Sequence, residues 1–423
     1  MTSLGLLLWI VLGIAVQLGL FLGVSFWRHW QDYRRLVQGM PEAAELAPVA
    51  GLPDEDRAGW SGFRSFRVAR RESEDAGGQI CSFYLEPADG QPLPSYLPGQ
   101  FLTFRLELGK AEGRGSASIT RCYSLSDAPA SGYYRISIKR VPAPPGSAYP
   151  AGRSSNFFHD DVQVGATLQV RAPSGHFYLA AGSAPVVLVS GGIGITPLLS
   201  MLNWCRIHQP EREIRFFHGL RNSREGAFLA DLRAAAAAAP SVHLYLCFSD
   251  PLPEDQLGRD FQYHGRVGVN LFRMELPLKP YHYYICGPAP MMETLLPALA
   301  DWGVPDSRIH FEAFGPASGL RRRAEPAALA EHALPDPANE ITVTFAKSGK
   351  KAQWSAQSGN LLDFTEAQGV AVDSGCRAGG CGTCQTTIVS GEVSYRQTPD
   401  YDPLAGTCLL CVCTPKTHLT LEA

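Results

Sequence analysis

The chain has 423 residues, room for about three domains. Its formal net charge of −3 leaves no basic footprint for nucleic acid. Hydrophobic residues make up 45% of it, the share of an ordinary globular protein.

The first element is an uncharged apolar run from Leu4 to Trp27, interrupted mainly by Gln17. At a rise of ~1.5 Å per residue it can span a bilayer core of roughly 30 Å. Trp9, Trp27 and Trp30 stand near its ends, where indole rings favour the membrane interface. Arg28, His29, Arg34 and Arg35 follow it, while residues 1–3 carry no side-chain charge. The positive-inside rule therefore puts the C-terminal side in the cytoplasm. A cleaved signal peptide would carry basic residues before a shorter apolar core, and an amphipathic core helix would show a polar face. The expectation is a single-pass anchor over residues 1–30, in the inner membrane if the protein is bacterial, with the catalytic domains cytoplasmic. A polar, acidic linker follows over 31–59.

From Trp60 the pattern changes to short alternating strands at Phe63–Ala69, Ile80–Glu86, Phe101–Leu106, Tyr134–Arg140 and Thr167–Arg171, separated by turn residues. This spacing predicts a small antiparallel barrel over residues 60–182. Within it stands Arg121-Cys-Tyr123-Ser124-Leu-Ser126, preceded by Tyr96-Leu-Pro-Gly-Gln-Phe101 and followed by Gly152-Arg-Ser-Ser155-Asn-Phe157. These residues resemble the ferredoxin–NADP reductase superfamily, whose flavin motif is R-x-Y-S. The resemblance implies a flavin site. Arg121 would meet a phosphate bidentately, Tyr123 would offer its ring face to the isoalloxazine, and Ser124 would reach the flavin N5 region. Gly152 and Ser155 would form the pyrophosphate loop at a helix N-terminus. The segments Arg121–Pro129, Arg135–Arg140, Gly152–Asn156 and Ala172–Phe177 follow in the order found in the reductase half of flavohaemoglobins. That similarity implies FAD. FMN, the flavin of phthalate dioxygenase reductase-like proteins, is less favoured. The residues before Trp60 are too few for a haem globin.

Pro185–Ser190 is a continuous apolar run, as in a buried parallel strand. It leads into Gly191-Gly192-Ile-Gly194-Ile-Thr196-Pro197 and an apolar helix at Leu198–Arg206. Strand, glycine turn and helix form a phosphate-binding arrangement. Alternation continues with a strand at Ile214–His218, then Gly219-Leu-Arg221, a helix at Glu225–Leu232 and the alanine run Ala234–Ala239. A strand at Val242–Phe248 ends in Ser249-Asp250, and another strand and turn span Tyr283–Pro288. An α/β parallel-sheet domain over 183–316 is expected.

The glycine loop resembles the superfamily's G-G-x-G-x-T-P segment, which implies that Gly191, Gly192, Gly194, Thr196 and Pro197 hold the NAD pyrophosphate. Cys286-Gly287-Pro288 matches the superfamily's C-G-P motif beside the nicotinamide; alone, Cys286 would read as a buried structural cysteine. Phe311-Glu312-Ala-Phe314-Gly-Pro resembles the flavohaemoglobin end segment, which implies that Phe314 covers the flavin and Glu312 lies near its ring. Asp250 stands where NADP-using relatives carry groups that grip the 2′-phosphate. A carboxylate repels that phosphate and accepts a ribose hydroxyl instead. Arg221 and Arg224 argue the other way, and the carboxylate sets the expectation of NADH.

Residues 317–339, with Arg321-Arg-Arg323 and Pro326, Pro335 and Pro337, read as a tether. From Glu340 the pattern is strand (Ile341–Phe345), strand (Ala352–Ser355), helix (Asn360–Gln368), then, after a cysteine loop, strands Thr386–Val389 and Leu419–Leu421. Cys376, Cys381 and Cys384 stand at C-x4-C-x2-C among Gly375, Gly379, Gly380 and Gly382, with Cys408, Cys411 and Cys413 further on. This is the plant-type [2Fe-2S] spacing. Four thiolates must converge, and glycines let backbone N–H groups approach the sulfurs. A disulfide knot or a zinc site fits less well, because zinc sites favour paired C-x2-C knuckles. The layout over 340–423 resembles the β-grasp of plant-type ferredoxins. Leu410–Pro415 resembles their T-C-V-A-x-P segment, which implies Cys411 as the fourth ligand, with Cys408 and Cys413 as alternatives. Of the eleven cysteines, the seven outside the cluster are scattered, several in apolar runs. That fits buried thiols in a reducing compartment.

The expected fold class is multidomain: one N-terminal transmembrane helix, an antiparallel β-barrel flavin domain, an α/β parallel-sheet nicotinamide domain and a β-grasp ferredoxin domain. The expected function is a membrane-anchored reductase that passes electrons from NADH through FAD and a [2Fe-2S] cluster to an oxygenase, hydroxylase or desaturase component. Ser124, Cys286 and Glu312 are the expected catalytic residues. An NADH:quinone-type reductase is the first alternative, although sodium-pumping quinone reductases place the ferredoxin before the flavin barrel. A non-catalytic redox scaffold at the membrane is the second, and the complete set of cofactor motifs disfavours it.

Overall fold

The computed structural model describes residues 62–108, 117–130, 132–143, 151–313, 341–372, 374–375, 382–395 and 403–423, with positions 9, 17, 19, 23, 27, 60, 377, 379 and 399. Among these, no helix is long and apolar enough to cross a membrane. The expected anchor over 1–30 falls outside them except for Trp9, Gln17, Gly19, Gly23 and Trp27, which are helical and exposed. Both expected linkers, Phe314, Cys376 and Cys381 also lie outside the described residues.

Six antiparallel strands form the first sheet: β1 (Arg64–Ser73), β2 (Ile80–Pro87), β3 (Phe101–Leu108), β4 (Ala117–Ser124), β5 (Tyr134–Lys139) and β6 (Thr167–Ser174). Their order is β4-β3-β6-β1-β2-β5. A bridge between Leu125 and Ile136 ties the end of β4 to β5, so the sheet curls back on itself. The period-two pattern turns Phe66, Val68, Phe83, Leu85, Leu102, Phe104, Ile136 and Ile138 into one buried core. Helix α1 (Arg153–Asp160) follows β5 and buries Phe158 in that core. Strand β4 carries the R-x-Y-S residues, in register with β3 from Phe101–Ser124 to Leu108–Ala117. The sequence reading had no strand there. The segment mixes Ser, Thr and Arg with few apolar residues, and its pairing with β3 supplies what local alternation does not.

The second sheet is parallel, in the order β10-β9-β8-β7-β11-β12. Its strands are β7 (Val186–Gly191), β8 (Ile214–Leu220), β9 (Val242–Phe248), β10 (Tyr263–His264), β11 (His282–Gly287) and β12 (Ile309–Ala313). The chain runs outward from β7 to β10 and then returns to β11 on the other side of β7. The carboxyl ends of β7 and β11 therefore form the topological switch point, where open α/β sheets take their ligands. Helices α2 (Ile195–His208), α3 (Leu229–Ala238), α4 (Val269–Glu275) and α5 (Ala289–Asp301) cover the sheet. One expected helix is corrected: the segment Glu225–Leu232 becomes helical only from Leu229. Phe228 adopts a left-handed conformation (φ 59°) with its side chain buried, and that holds the chain out of helix until the next residue. Helices α4 and α5 were not anticipated. The first is only 7 residues long, and the second carries prolines near its start and at Pro297.

The C-terminal sheet has the order β14-β13-β19-β15-β17. It comprises β13 (Ile341–Phe345), β14 (Lys351–Trp354), β15 (Gln385–Ser390), β17 (Thr407–Leu409) and β19 (Leu419–Leu421), with β16 (Val393–Tyr395) pairing β18 (Cys413–Pro415) beside it. Strands β13 and β19 are parallel and the other pairs antiparallel. Helix α6 (Leu361–Ala367) lies against this sheet through Leu361, Leu362 and Phe364. Asn360 caps it by accepting the Asp363 N–H at 2.7 Å.

The tightest packing in the second sheet is at the switch point. A Cβ on Gly194 would sit 2.2 Å from the Cys286 carbonyl oxygen, and one on Gly191 would sit 2.7 Å from Pro288 Cδ. The obstacle at Gly194 is backbone, which cannot swing aside. Replacing Gly194 by Ala is expected to destabilise the fold by about 1–3 kcal/mol, as overpacking does, and to raise the KM for the dinucleotide that the glycine loop is expected to hold. Chemical denaturation with parallel kinetics checks this; wild-type stability and an unchanged KM would contradict the close approach.

Candidate functional site

Four parallel strands align one polar row at the switch point. Ser190 of β7 pairs in register with His218 of β8 and with Cys286 of β11, and Cys286 pairs with Glu312 of β12. In-register neighbours in a sheet project to the same face. The row reaches the barrel, where Ser124 Oγ donates to Glu312 Oε2 at 3.4 Å. The three residues read as catalytic from the sequence, Ser124, Cys286 and Glu312, are thus brought together from three separate strands.

Burial sets the charge of this row. Cys286 is fully buried, and desolvation, reinforced by the Glu312 carboxylate, pushes its thiol well above the usual range. It is a neutral thiol at physiological pH. His218 is also fully buried, and desolvation lowers its pKa to about 4, so the imidazole is neutral as well. Ser190 Oγ lies 2.7 Å from His218 Nδ1. The sequence singled out neither residue: His218 ended an expected strand, and its register with Ser190 is visible only in the folded sheet.

The glycine loop suits a phosphate. Gly192–Gly194 form a turn of 3-10 helix, with Gly192 at φ 52°, and α2 begins at Ile195 with no side chain capping its first amides. Those N–H groups face the crevice as ready anion donors. Thr196 spends its hydroxyl inside the turn, donating to Ile193 O at 3.1 Å, and Pro197 lies buried in the first turn. Gly287 admits the loop, since a Cβ there would come within 3.1 Å of Gly191 N. A Cβ at Gly191, Gly194 or Gly287 would meet the facing strand end, and Gly192 stands in open space at positive φ, so the residues present fit a dinucleotide pyrophosphate.

At the barrel, Arg121 is exposed at the end of β4, its Nη1 donating to Thr120 O at 2.7 Å. Tyr123 is half-buried and donates to Ser154 Oγ at 3.0 Å; burial pushes its phenol up to about 12. Gly152 precedes α1, which no side chain caps. Ser155 is turned inward: it donates to Gly152 O and accepts the Val141 N–H, at 3.2 and 3.3 Å. It therefore shapes the loop through its side chain and leaves the helix amides and Arg121 to meet phosphate. An exposed guanidinium, an uncapped helix start and an aromatic ring together fit a flavin nucleotide.

At the far end of the crevice, Asp250 is exposed and donates its backbone N–H to Arg221 O at 2.9 Å. Arg221 is ion-paired with Glu225, which also faces Lys139 at 3.5 Å. Burial opposes charge on Glu225, but Arg221 and Lys139 outweigh it and hold the carboxyl below its usual range. Arg221 is thereby ion-paired, and the exposed Asp250 stands beside it.

Cys384 and Cys411 are buried side by side, with the Cys411 N–H donating to Cys384 Sγ at 3.5 Å. Gly379 and Gly382 take positive φ (79° and 68°), as does Arg377 (55°), whose guanidinium is held by Asp363 at 3.3 Å and Glu366 at 2.5 Å. Backbone N–H groups around buried thiols are the donor set an iron–sulfur cluster takes. The neighbouring Cys408 thiol and burial, with Cys384 and Cys411 adding to them, raise the Cys413 thiol well above the usual range. Of the three late cysteines, Cys411 is the one whose backbone N–H donates to Cys384 Sγ. Among the described residues no group of three metal-ligating side chains converges, two of the four expected ligands being outside them.

Comparison with known proteins matches three families: an oxidoreductase FAD-binding domain over residues 67–178, an oxidoreductase NAD-binding domain over 188–296 and a 2Fe-2S iron-sulfur cluster binding domain over 345–416. The flavohemoprotein of Bordetella pertussis is 42% identical over 276 residues, 64% of this chain and 65% of that protein. That of Halalkalibacterium halodurans is 39% identical over 263 residues, 62% of each chain. The chain thus spans less than two-thirds of the length of these curated relatives. Among solved structures, the flavohem-like FAD/NAD binding domain of nitric oxide dioxygenase from Vibrio cholerae O1 biovar El Tor is 30% identical with a TM-score of 0.52, covering 60% of this chain and all of that one. An intact type IV self-sufficient cytochrome P450 monooxygenase is 25% identical with a TM-score of 0.55, covering 85% of this chain and 41% of that one. Phthalate dioxygenase reductase, described as modular for electron transfer from pyridine nucleotides to [2Fe-2S], is 27% identical with a TM-score of 0.50, covering 86% of this chain and 98% of that one. The chain is therefore built from an FAD-binding domain and an NAD-binding domain of the oxidoreductase type followed by a 2Fe-2S domain, on a phthalate dioxygenase reductase-like fold.

Proposed function

We propose that this protein is an NADH-dependent reductase that delivers electrons, through FAD and a [2Fe-2S] cluster, to an oxygenase, hydroxylase or desaturase component at a membrane. One observation carries the reading: the row Ser190–Cys286–Glu312 meets Ser124, so the nicotinamide crevice opens onto the flavin strand. When bound, FAD and the cluster supply the conversion of a two-electron donor into single-electron delivery.

The chain's own residues bind and orient. Backbone amides of Gly192–Gly194 and of the start of α2 hold the pyrophosphate of the dinucleotide. Asp250 accepts from the ribose and repels a 2′-phosphate, which favours NADH over NADPH. Cys286 presents a compact neutral thiol beside the nicotinamide position, and Glu312 accepts from the Ser124 hydroxyl and so fixes it at the crevice end of the flavin strand. Arg121 and the α1 amides hold the flavin phosphates. Cys376, Cys381, Cys384 and Cys411 hold the cluster. The likeness to phthalate dioxygenase reductase and to a self-sufficient P450 monooxygenase supports an oxygenase as the acceptor, and the apolar run over 4–27 supports a membrane anchor.

Purified full-length protein is expected to oxidise NADH with cytochrome c as acceptor and to turn over faster with its oxygenase partner than with a quinone. Absence of NADH-driven cytochrome c reduction sinks the reading, and rapid partner-free quinone turnover replaces it with a quinone reductase. Asp250→Arg is expected to shift the NADPH/NADH ratio of kcat/KM upward by roughly tenfold or more, about 1.4 kcal/mol of discrimination; an unmoved ratio defeats the role given to the carboxylate. Cys411→Ser is expected to abolish the cluster's visible spectrum, while Cys408→Ser and Cys413→Ser retain it; a retained spectrum in Cys411→Ser reassigns the ligand. Alkaline carbonate is expected to leave the full chain in the membrane pellet, and its release would remove the anchor from the account.

A further inference from the structure

Among the described residues, Phe228 and Arg377 are the two non-glycine residues at positive φ, 59° and 55°. Phe228 stands just before α3 in the nicotinamide domain, and its side chain is buried. A left-handed conformation comes freely to glycine and is unfavourable for a bulky L-residue. A phenylalanine held there marks a position where the surrounding structure overrides the backbone preference. Its ring meets Arg135 of β5, whose Cζ lies 5.4 Å from the ring centroid. Arg135 belongs to the barrel and is itself buried. A strained residue of the second sheet's domain is thus seated on a buried cation of the first.

That cation reaches two further elements. Arg135 Nε donates to Ser126 Oγ at 3.2 Å, and its Nη2 donates to Ser126 O. The Ser126 N–H donates back to Arg135 O at 2.9 Å. Asp127 faces Arg135 Nη1 at 3.6 Å and accepts from Asn203 Nδ2 of α2 at 2.9 Å. Ser126 lies two residues beyond Ser124, and α2 is the helix that leaves the glycine loop. One guanidinium therefore ties together the end of the flavin strand, the residue before α3 and, through Asp127, the helix of the glycine loop.

We propose that the node of Arg135, Asp127 and Phe228 is a positioning device that holds the nicotinamide crevice in register with the flavin strand, an inference that rests on the reductase reading above. Barrel stability does not call for Phe228. Within the barrel Arg135 already has Ser126, Asp127 and the Tyr84 ring at 5.9 Å. The Phe228 contact crosses between domains, and the backbone adopts an unfavourable conformation to make it. The planar guanidinium forks onto Ser126 and offers a face to the ring, whereas a lysine keeps the charge and has neither fork nor face. The node grips the frame that carries Ser124 and the glycine loop, so its loss changes orientation before it changes affinity. A misplacement of about 1 Å caused by a distant change can slow a reaction by roughly a hundredfold.

The test uses the full-length holoprotein, mixed rapidly with NADH without oxygen, with flavin bleaching followed over a range of NADH concentrations. In Arg135→Lys the limiting rate is expected to fall roughly tenfold or more while the apparent Kd for NADH stays within about twofold, the signature of lost orientation rather than lost binding. Phe228→Leu, which keeps an apolar side chain and removes the ring, should slow the same step. The double variant should be no slower than the slower single one, because both changes break one contact. Without NADH, amides of residues 227–232 should exchange hydrogen faster in Arg135→Lys, and those of β2 should exchange as in the wild type. Should Arg135→Lys fail to fold, Phe228→Leu carries the same rate and exchange measurements alone. An unchanged limiting rate, losses that simply add, or faster exchange throughout the barrel overturns the node as a positioning device. A wild-type protein whose flavin NADH does not reduce overturns the reductase reading itself, an outcome separable from the others.

Discussion

The site depends on one close backbone approach. The loop leaving β7 passes against the end of β11 so tightly that Gly194 rests on the Cys286 carbonyl and Gly191 on Pro288. Only residues without a Cβ allow this. The contact sets β7 and β11 in their register at the switch point, and that register lines up Ser190, Cys286 and Glu312. The glycines that leave room for a dinucleotide are the same ones that let the two strand ends meet.

Around that contact the protein keeps the crevice nearly free of unbalanced charge. Burial holds the Cys286 thiol and the His218 imidazole neutral. Glu225 takes up Arg221 and faces Lys139, beside the exposed Asp250. Neutral Cys286 and His218 beside the Glu312 carboxylate suit redox chemistry carried by cofactors, where the protein supplies orientation and electrostatics. Hydrogen bonds from Ala180 N–H to Tyr284 Oη at 2.9 Å and from Asn203 Nδ2 to Asp127 Oδ1 at 2.9 Å join barrel and parallel sheet, so the flavin strand and the nicotinamide crevice hold a fixed relation.

Much of this was legible in the sequence where local chemistry decides structure. Val242–Phe248, Ile341–Phe345 and Leu419–Leu421 are strands with the bounds their apolar patterns predict. The glycine turn after Pro185–Ser190 could be read because strand, turn and helix adjoin in the chain. Features set by distant pairing could not. Strand β4 is held by β3 rather than by its own alternation, and the helix expected from Glu225 is delayed by the left-handed Phe228. The Ser190–His218 pair is a matter of register between parallel strands, which no single segment encodes. Among the late cysteines, Cys408 and Cys413 stand in β17 and β18, while Cys411 lies between those strands with its N–H on Cys384 Sγ.

The central claim is that NADH, flavin and cluster form one electron path within this chain. It is tested most directly by titrating the anaerobic full-length holoprotein with NADH while recording its electron paramagnetic resonance spectrum at low temperature. The account predicts that the reduced [2Fe-2S] signal grows in step with flavin bleaching, without any added mediator. A flavin that bleaches fully while the cluster stays silent, yet is reduced by dithionite, would contradict it.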